Sequence, residues 1–115
     1  DNAIISSDTE IEIPSEAQVF TKVKEIQVNF SGTVRVKFDS KKIDGTTATA
    51  KIYKNGSAVT DVDSFGTSYN TYSHDINVNT NDLIQLYAYS FSYTSCYVRN
   101  FRICTDSTPF GVVNL

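Results

Sequence analysis

The chain has 115 residues, 40% of them hydrophobic, and a formal net charge of −3 at pH 7. A chain of this size can bury one core but has no room for a second. Its ten Lys and Arg residues are scattered among thirteen carboxylates, which argues against a nucleic-acid partner because phosphate binding needs a clustered basic face. No apolar run reaches the roughly 18 residues that a membrane-inserted helix requires. Met and Trp are absent while Tyr and Phe each occur seven times, which favours β-structure.

In chain order, residues 1–8 are predicted to be an N-terminal arm or linker, residues 9–106 a β-sandwich domain, and residues 107–115 a C-terminal tail. The absence of an initiator Met indicates a mature product or part of a longer protein. The apolar residues of 18–30 change parity at Lys24-Glu25, which predicts a bulge or a bend there. The other strands are expected over 9–13, 34–38, 47–54, 57–62, 69–78, 83–91 and 96–104.

About eight short strands with turn signals every 8–12 residues or so are typical of a β-sandwich or barrel. No window shows the apolar spacing of an amphipathic helix. We therefore predict an all-β fold, an antiparallel β-sandwich of about eight strands with a jelly-roll-like arrangement. The predicted core consists of Val28, Phe30, Val34, Val36, Phe38, Ala50, Ile52, Ile76, Val78, Ile84, Leu86, Tyr97, Phe101 and Ile103.

Cys96 and Cys104 fall at the two ends of one predicted strand. An extended strand rises about 3.3 Å per residue, so their Cα atoms lie much farther apart than the roughly 7 Å that a disulfide allows. Both cysteines are therefore predicted to be free thiols, which fits a protein that matures in a reducing cytosol. Two cysteines and one distant histidine do not supply the ligands of a tetrahedral zinc site.

Three groups of residues have the types that catalysis or metal binding would need. Ser73-His74-Asp75 contains the residues of a hydrolase triad, but neighbours on a strand point to opposite faces and cannot converge on a substrate. Paired carboxylates could serve a glycosidase, yet the aspartates fall at strand ends and turns, where Asp is common for turn chemistry alone. Calcium ligands could come from Asp61 and Asp63 or from the group Asn77, Asn79, Asn81 and Asp82. We predict no catalytic residue, no cofactor and no metal site, with a structural calcium left open.

Four aromatic residues of one strand and its turn share a parity opposite to that of the aliphatic residues beside them: Tyr87, Tyr89, Phe91 and Tyr93. If the aliphatic side chains face the core, the aromatic ones line the outer face, and exposed aromatic area usually marks a binding surface. Such rings could stack on sugars or form a subunit interface. They could also be buried on both faces of a central strand. These four residues are the candidate interaction surface.

Four segments of the sequence form a recognisable pattern: Ser31–Asp39 (SGTVRVKFD), Ile52–Gly56 (IYKNG), Asp82–Ala88 (DLIQLYA) and Tyr97–Ile103 (YVRNFRI). Together they resemble a β-sandwich domain of phage and prophage virion proteins, associated with the tail, the fibre or the capsid surface, over most of residues 19–103. The sequence departs from that pattern at Asn81 and Thr60, where a glycine is common. The resemblance implies that six residues are structural motif residues: Asn55, Gly56, Asp82, Arg99, Asn100 and Arg102.

The resemblance implies a non-enzymatic structural or interaction module of a phage-like virion, in the tail, a fibre or the capsid decoration, with host-surface adhesion as a further role. Its expected partners are copies of itself, with a trimer favoured, other virion proteins and a surface glycan. Its expected location is the virion, assembled in the host cytoplasm. The alternative interpretation is a carbohydrate-binding module of a larger extracellular protein.

Overall fold

The computed structural model describes residues 2–7, 11–13, 20–43, 47–90 and 96–105, and in these ranges every helix or strand element is a strand. The strands are β1 (Asn2–Ser7), β2 (Ile11–Ile13), β3 (Thr21–Gln27), β4 (Gly32–Lys42), β5 (Ala48–Lys54), β6 (Ser57–Ala58), β7 (Asp63–Ser64), β8 (Asn70–Val78), β9 (Leu83–Ser90) and β10 (Cys96–Thr105). Accordingly, these ranges contain no helix that could span a membrane. The predicted all-β class is confirmed.

The strands form two antiparallel sheets that pack face to face. Sheet A has the order β1-β10-β4-β8, and β2 pairs with β10 as well. Sheet B has the order β3-β9-β5-β6, and β7 also pairs with β5. Because the chain changes sheets at nearly every long connection, the two sheets are built from interleaved segments, as in a jelly roll. The predicted antiparallel, jelly-roll-like sandwich is confirmed.

The core lies between the sheets and contains every predicted core residue except Tyr97. Tyr97 is half-buried and pairs with Lys41 on the outer side of sheet A. The physical reason is a register shift between Arg99 and Arg102, where Asn100 adopts a φ of 53°. The extra residue reverses the alternation of β10, so Val98 takes the inward position that parity alone assigned to Tyr97.

Three predicted segments differ from the structure. Residues 2–7, expected to form an arm, pair with β10 as strand β1, because the edge of β10 offers backbone partners that the weak apolar pattern of the arm did not reveal. The strand predicted over 57–62 ends at Ala58, since the Thr60 hydroxyl accepts the Ile52 N–H at 3.0 Å in place of a backbone carbonyl. The irregularity in β3 lies between Lys22 and Lys24, one step before the predicted position. The tail over 107–115 lies outside the described residues.

Candidate functional site

The outer side of sheet B carries a group of aromatic side chains, which we call the tyrosine face: Phe20, Tyr53, Tyr87 and Tyr89. The ring centroids of Tyr53 and Tyr87 lie 3.8 Å apart at an interplanar angle of 17°. Those of Phe20 and Tyr89 lie 5.6 Å apart at 34°. All four side chains are half-buried. Their rings therefore support one another and still reach the surface.

The ladder between β5 and β9 explains why these rings point outward. Tyr87 pairs with Lys51, and the next pair along the ladder, Ile52 with Leu86, is fully buried in the core. Successive side chains of a strand alternate between the two faces of a sheet. Tyr53 and Tyr87 thus occupy diagonal positions on the outer side, close enough for aromatic rings to stack.

A polar group borders the tyrosine face and fixes its position. The buried Gln85 accepts the Gly56 N–H through Oε1 at 2.9 Å and donates through Nε2 to Glu25 at 2.7 Å. The hydrogen bond from Gln85, followed by that from Lys22, lowers the pKa of Glu25 below its usual value. Glu25 therefore stays ionised near neutral pH and connects β3 to β9 beside the rings.

The arrangement suits an amphipathic ligand. The Tyr53–Tyr87 stack covers one side of each ring, and both side chains remain partly exposed. Aromatic rings pack against apolar C–H surfaces, and a tyrosine hydroxyl adds a hydrogen-bonding group at the tip. The Lys51 ammonium lies 4.9 Å from the Phe20 centroid, so a charged donor is present at the same surface. A sugar ring is a ligand of this kind, because it has apolar C–H groups on its faces and hydroxyl groups around its edge.

The structure brings two of the four predicted surface residues together. Tyr87 and Tyr89 lie on the outer side of β9, whereas Phe91 and Tyr93 lie outside the described residues. The candidate interaction surface predicted from the sequence omitted Tyr53, although the parity of Tyr53 relative to the apolar Ile52 indicated an outward side chain. That Tyr53 would stack on Tyr87 could not be predicted, because the pairing register of β5 with β9 is a tertiary property.

Two turns next to the tyrosine face are joined through Asn55 and Asp82. Asn55 and Gly56 form the hairpin between β5 and β6, with φ values of 52° and 86°. Asn55 Nδ2 donates to Asp82 Oδ1 at 2.9 Å, and Asn55 Oδ1 accepts the Leu83 N–H at 2.8 Å. Asp82 Oδ2 also accepts the Asn79 N–H. Hydrogen bonds from Asn55 and then from Asn79 lower the pKa of Asp82.

The remaining three motif residues surround Asp39 on the outer side of sheet A. Asn100 Nδ2 donates to Asp39 at 3.1 Å, and Arg102 donates to the Asn100 carbonyl at 2.7 Å and lies 3.5 Å from Asp39. Arg99 Nε lies 3.7 Å from the same carboxylate. Burial alone would raise the pKa of Asp39, but hydrogen bonds from Asn100 and from Thr71, with the charge of Arg102, lower it below its usual value. Asp39 thus holds the bulge of β10 against β4.

His74 connects the two sheets instead of facing solvent. Its register partner Val36 is fully buried, so His74 points inward, where Nε2 contacts the Asp63 carboxylate on β7. Asp75 points outward to Arg35 at 3.1 Å. Because neighbouring residues of β8 face opposite sides, Ser73, His74 and Asp75 do not converge, as strand parity predicted.

The cysteines and the carboxylates give no metal site within the described ranges. No group of three His, Cys, Asp or Glu side chains in them is placed to hold a metal ion. Of the calcium candidates, Asp63 is bound to His74 and Asp82 to Asn55. Cys96 and Cys104 are both free and buried in the structure.

Comparison with known proteins supports the fold. No protein-family profile and no curated protein matches the sequence. The structure is similar to the EclA C-terminal domain, a sugar-binding protein, with a TM-score of 0.66 and 9% identity over 84% of this chain and 78% of that one. It is also similar to a family 35 carbohydrate binding module from Clostridium thermocellum, with a TM-score of 0.56 and 14% identity over 83% of this chain and 97% of that one. At such identities the likeness establishes a shared sandwich fold.

Proposed function

We propose that this domain is a non-catalytic carbohydrate-binding module and that the tyrosine face is its sugar-binding surface. The observation that carries the proposal is the Tyr53–Tyr87 stack on the outer side of sheet B, beside the Phe20–Tyr89 pair. Rings that are already held in place lose little conformational entropy when a ligand packs on them. The sugar-binding names of the two proteins with a similar fold support the same function.

The geometry of the face favours a glycan chain over a small enclosed ligand. Tyr53, Tyr87 and Tyr89 lie on the strand surface formed by β9 and β5, so their partly exposed area follows the strands and does not line an enclosed cavity among the described residues. Ligands in such a place contact the protein on one side and remain accessible on the other. The domain then acts by adhesion, and the sugar leaves unchanged.

The virion setting predicted from the four sequence segments belongs to the same proposal. A module on a phage-like particle would present the tyrosine face to a host-surface glycan, while contacts with its own copies and with other virion proteins hold it in the particle. This virion setting is supported by the resemblance of those segments to a β-sandwich domain of phage virion proteins. The alternative setting, a module of a larger extracellular protein, requires the same face.

The test is affinity electrophoresis in gels that contain a neutral polysaccharide, such as xylan, mannan, cellulose derivatives or β-glucan. We expect at least one of them to retard the wild-type domain. Tyr53→Ala and Tyr87→Ala should each weaken this binding by about tenfold or more, because truncating a central aromatic anchor costs on the order of 2 kcal/mol. Tyr87→Phe should retain most of it because the ring remains.

Ile43→Ala is the control, because Ile43 is 56% exposed and follows β4 of sheet A, whereas the rings lie on sheet B. Its retardation should equal that of the wild type. Thermal unfolding of each variant verifies the fold. A wild type that no neutral polysaccharide retards contradicts the function, and alanine variants that bind as the wild type does contradict the surface.

A further inference from the structure

The outer side of sheet A is basic, although the chain as a whole is acidic. Five of the ten Lys and Arg residues lie there, and we call this surface the arginine face: Arg35, Lys37, Lys41, Arg99 and Arg102. Each occupies a position whose neighbours on the same strand point inward or lie at the bulge. Among the described side chains, the carboxylates on this side are Asp39 and Asp75. Among the described side chains, the excess of positive charge is therefore local to one side of the sandwich.

Two tyrosines hold the cations of this face in place. The Arg99 guanidinium lies 3.7 Å from the centroid of the Tyr69 ring. The Lys41 ammonium lies 4.8 Å from the same ring and 5.5 Å from the ring of Tyr97. Cation–π contacts of this length are attractive. Lys41 and Arg99 are thus held in place before any ligand arrives.

Arg99 is the group best placed to contact a ligand. Its side chain is 41% exposed, against 22% for Arg102. Within the described residues its contacts are the Tyr69 ring and the carboxylate of Asp39, and its Nε is buried without a hydrogen-bond partner. The exposed part of a guanidinium can donate two parallel hydrogen bonds to one carboxylate through its terminal nitrogens.

The margin of the face adds neutral hydrogen-bonding groups. On β8 the outward side chains Thr71, Ser73 and Asn77 are exposed. Thr71 donates to Asp39 at 2.8 Å, and Thr33 donates to Asn77 at 2.6 Å. Hydroxyl and amide groups beside a basic strip match a ligand that carries both hydroxyls and negative charge.

We propose that the arginine face is a second binding site, for the carboxylate groups of an acidic glycan, with Arg99 and Lys41 as its ligand-contacting cations. It lies on the opposite side of the sandwich from the tyrosine face. The choice of a glycan over other polyanions rests on the proposed sugar-binding function and on the hydroxyl-bearing margin. Nucleic acid is less favoured, because the rings of Tyr69 and Tyr97 already lie under Arg99 and Lys41 and Asp39 places a negative charge among the cations.

The test is isothermal titration of the full chain with oligogalacturonate and with its methyl ester, at low and at physiological salt. The two ligands share a sugar skeleton and differ in charge. The wild type should bind the acid more tightly than the ester, and added salt should weaken the binding of the acid. In the double variant Arg99→Gln with Lys41→Gln, affinity should fall by about tenfold or more, because two charge-assisted contacts are lost.

Lys54→Gln is the charge-matched control for Arg99→Gln alone, because it removes one charge at the end of β5 in sheet B. It should bind oligogalacturonate within about twofold of the wild type, as expected for charges outside a contact surface. Arg99→Lys keeps the charge but loses the planar fork, so it should bind between the wild type and the double variant. Circular dichroism verifies the fold of each variant, and the acid-versus-ester comparison needs the wild type alone.

Three results would overturn the proposal. The first is a wild type that does not bind the acid. The second is an equal loss in the control variant, which would assign the effect to net charge. The third is equal binding of duplex DNA or poly-L-glutamate at the same ionic strength, which would indicate a general polyanion surface. The double variant should still bind the neutral polysaccharide of the previous test, so the two sites can fail independently.

Discussion

Replacement of Asn55 tests how the two turns beside the tyrosine face stabilise the domain. Asn55 adopts a φ of 52°, a left-handed conformation that Asn and Gly accept more readily than other residues. Its side chain also accepts the Leu83 N–H at 2.8 Å and donates to Asp82 at 2.9 Å. Asn55 therefore contributes to the stability of the domain in two ways, through its left-handed backbone and through its side-chain hydrogen bonds, and two substitutions can separate these contributions.

Asn55→Gly keeps the backbone freedom and removes both hydrogen bonds, which should lower the free energy of unfolding by about 1–3 kcal/mol. Asn55→Ala removes the same bonds and adds a strained left-handed residue, for a further loss of roughly 1 kcal/mol. Urea unfolding followed by tyrosine fluorescence measures both, since the chain has seven Tyr and no Trp. The wild type should be the most stable, Asn55→Gly less stable, and Asn55→Ala the least stable.

Asn79→Ala is the control for this series. The Asn79 backbone N–H donates to Asp82 at 2.8 Å, so removal of the exposed side chain leaves that bond intact. Its stability should stay within about 0.5 kcal/mol of the wild type, as for most surface substitutions. A Gly variant as stable as the wild type would refute the role of the hydrogen bonds. An Ala variant no less stable than the Gly variant would refute the strain argument.

Three further predictions concern acid stability, thiol reactivity and assembly. The lowered pKa of Asp39 means that its contribution to stability is present above the ordinary value of 3.8 and is lost as pH falls through the lowered pKa. In Asp39→Asn, the free energy of unfolding measured in urea should therefore fall less steeply with pH over that acid range. A pH dependence equal to that of the wild type would contradict this prediction. Burial raises the pKa of Cys96 to about 12. Ellman's reagent at pH 8 should therefore react with this thiol only in denaturant. Rapid labelling of Cys96 in the native domain would contradict a buried, protonated thiol. The predicted homo-oligomer should give a molar mass by light scattering that is a multiple of 12.8 kDa, three-fold for a trimer, and a concentration-independent monomer would refute it.

Alternation along the strands was sufficient to predict the fold class, and thirteen of the fourteen predicted core residues are buried. Val34, Val36 and Phe38 are buried as their spacing indicates, because one side of a strand in a sandwich must face the opposite sheet. The same alternation separated His74 from Asp75, and the rise of an extended strand kept Cys96 apart from Cys104. Such properties depend only on the period and the rise of a strand, which local sequence determines.

The prediction of which side chains face the core failed where a bulge adds one residue to a strand. The bulge at Asn100 moves Tyr97 out of the core and places Val98 inside it. The sequence of β10 alone does not show the bulge, because it depends on Asp39 of β4, which contacts Asn100, Arg99 and Arg102. A contact between distant strands decided the register, and the register decided which side chains face solvent.

Both candidate surfaces are products of strand pairing. Tyr53 and Tyr87 are thirty-four positions apart, and only the β5–β9 ladder brings their rings to 3.8 Å. The basic residues look scattered along the chain because β4 and β10 are far apart in sequence, yet the ladder between them gathers Lys41 and Arg99 onto one side. Sequence by itself determined most of the strands and turns and the burial pattern of the regular strands. Tertiary structure decided which strands are neighbours, and therefore which rings and charges share a surface, because pairing between distant segments is a property of the folded chain as a whole.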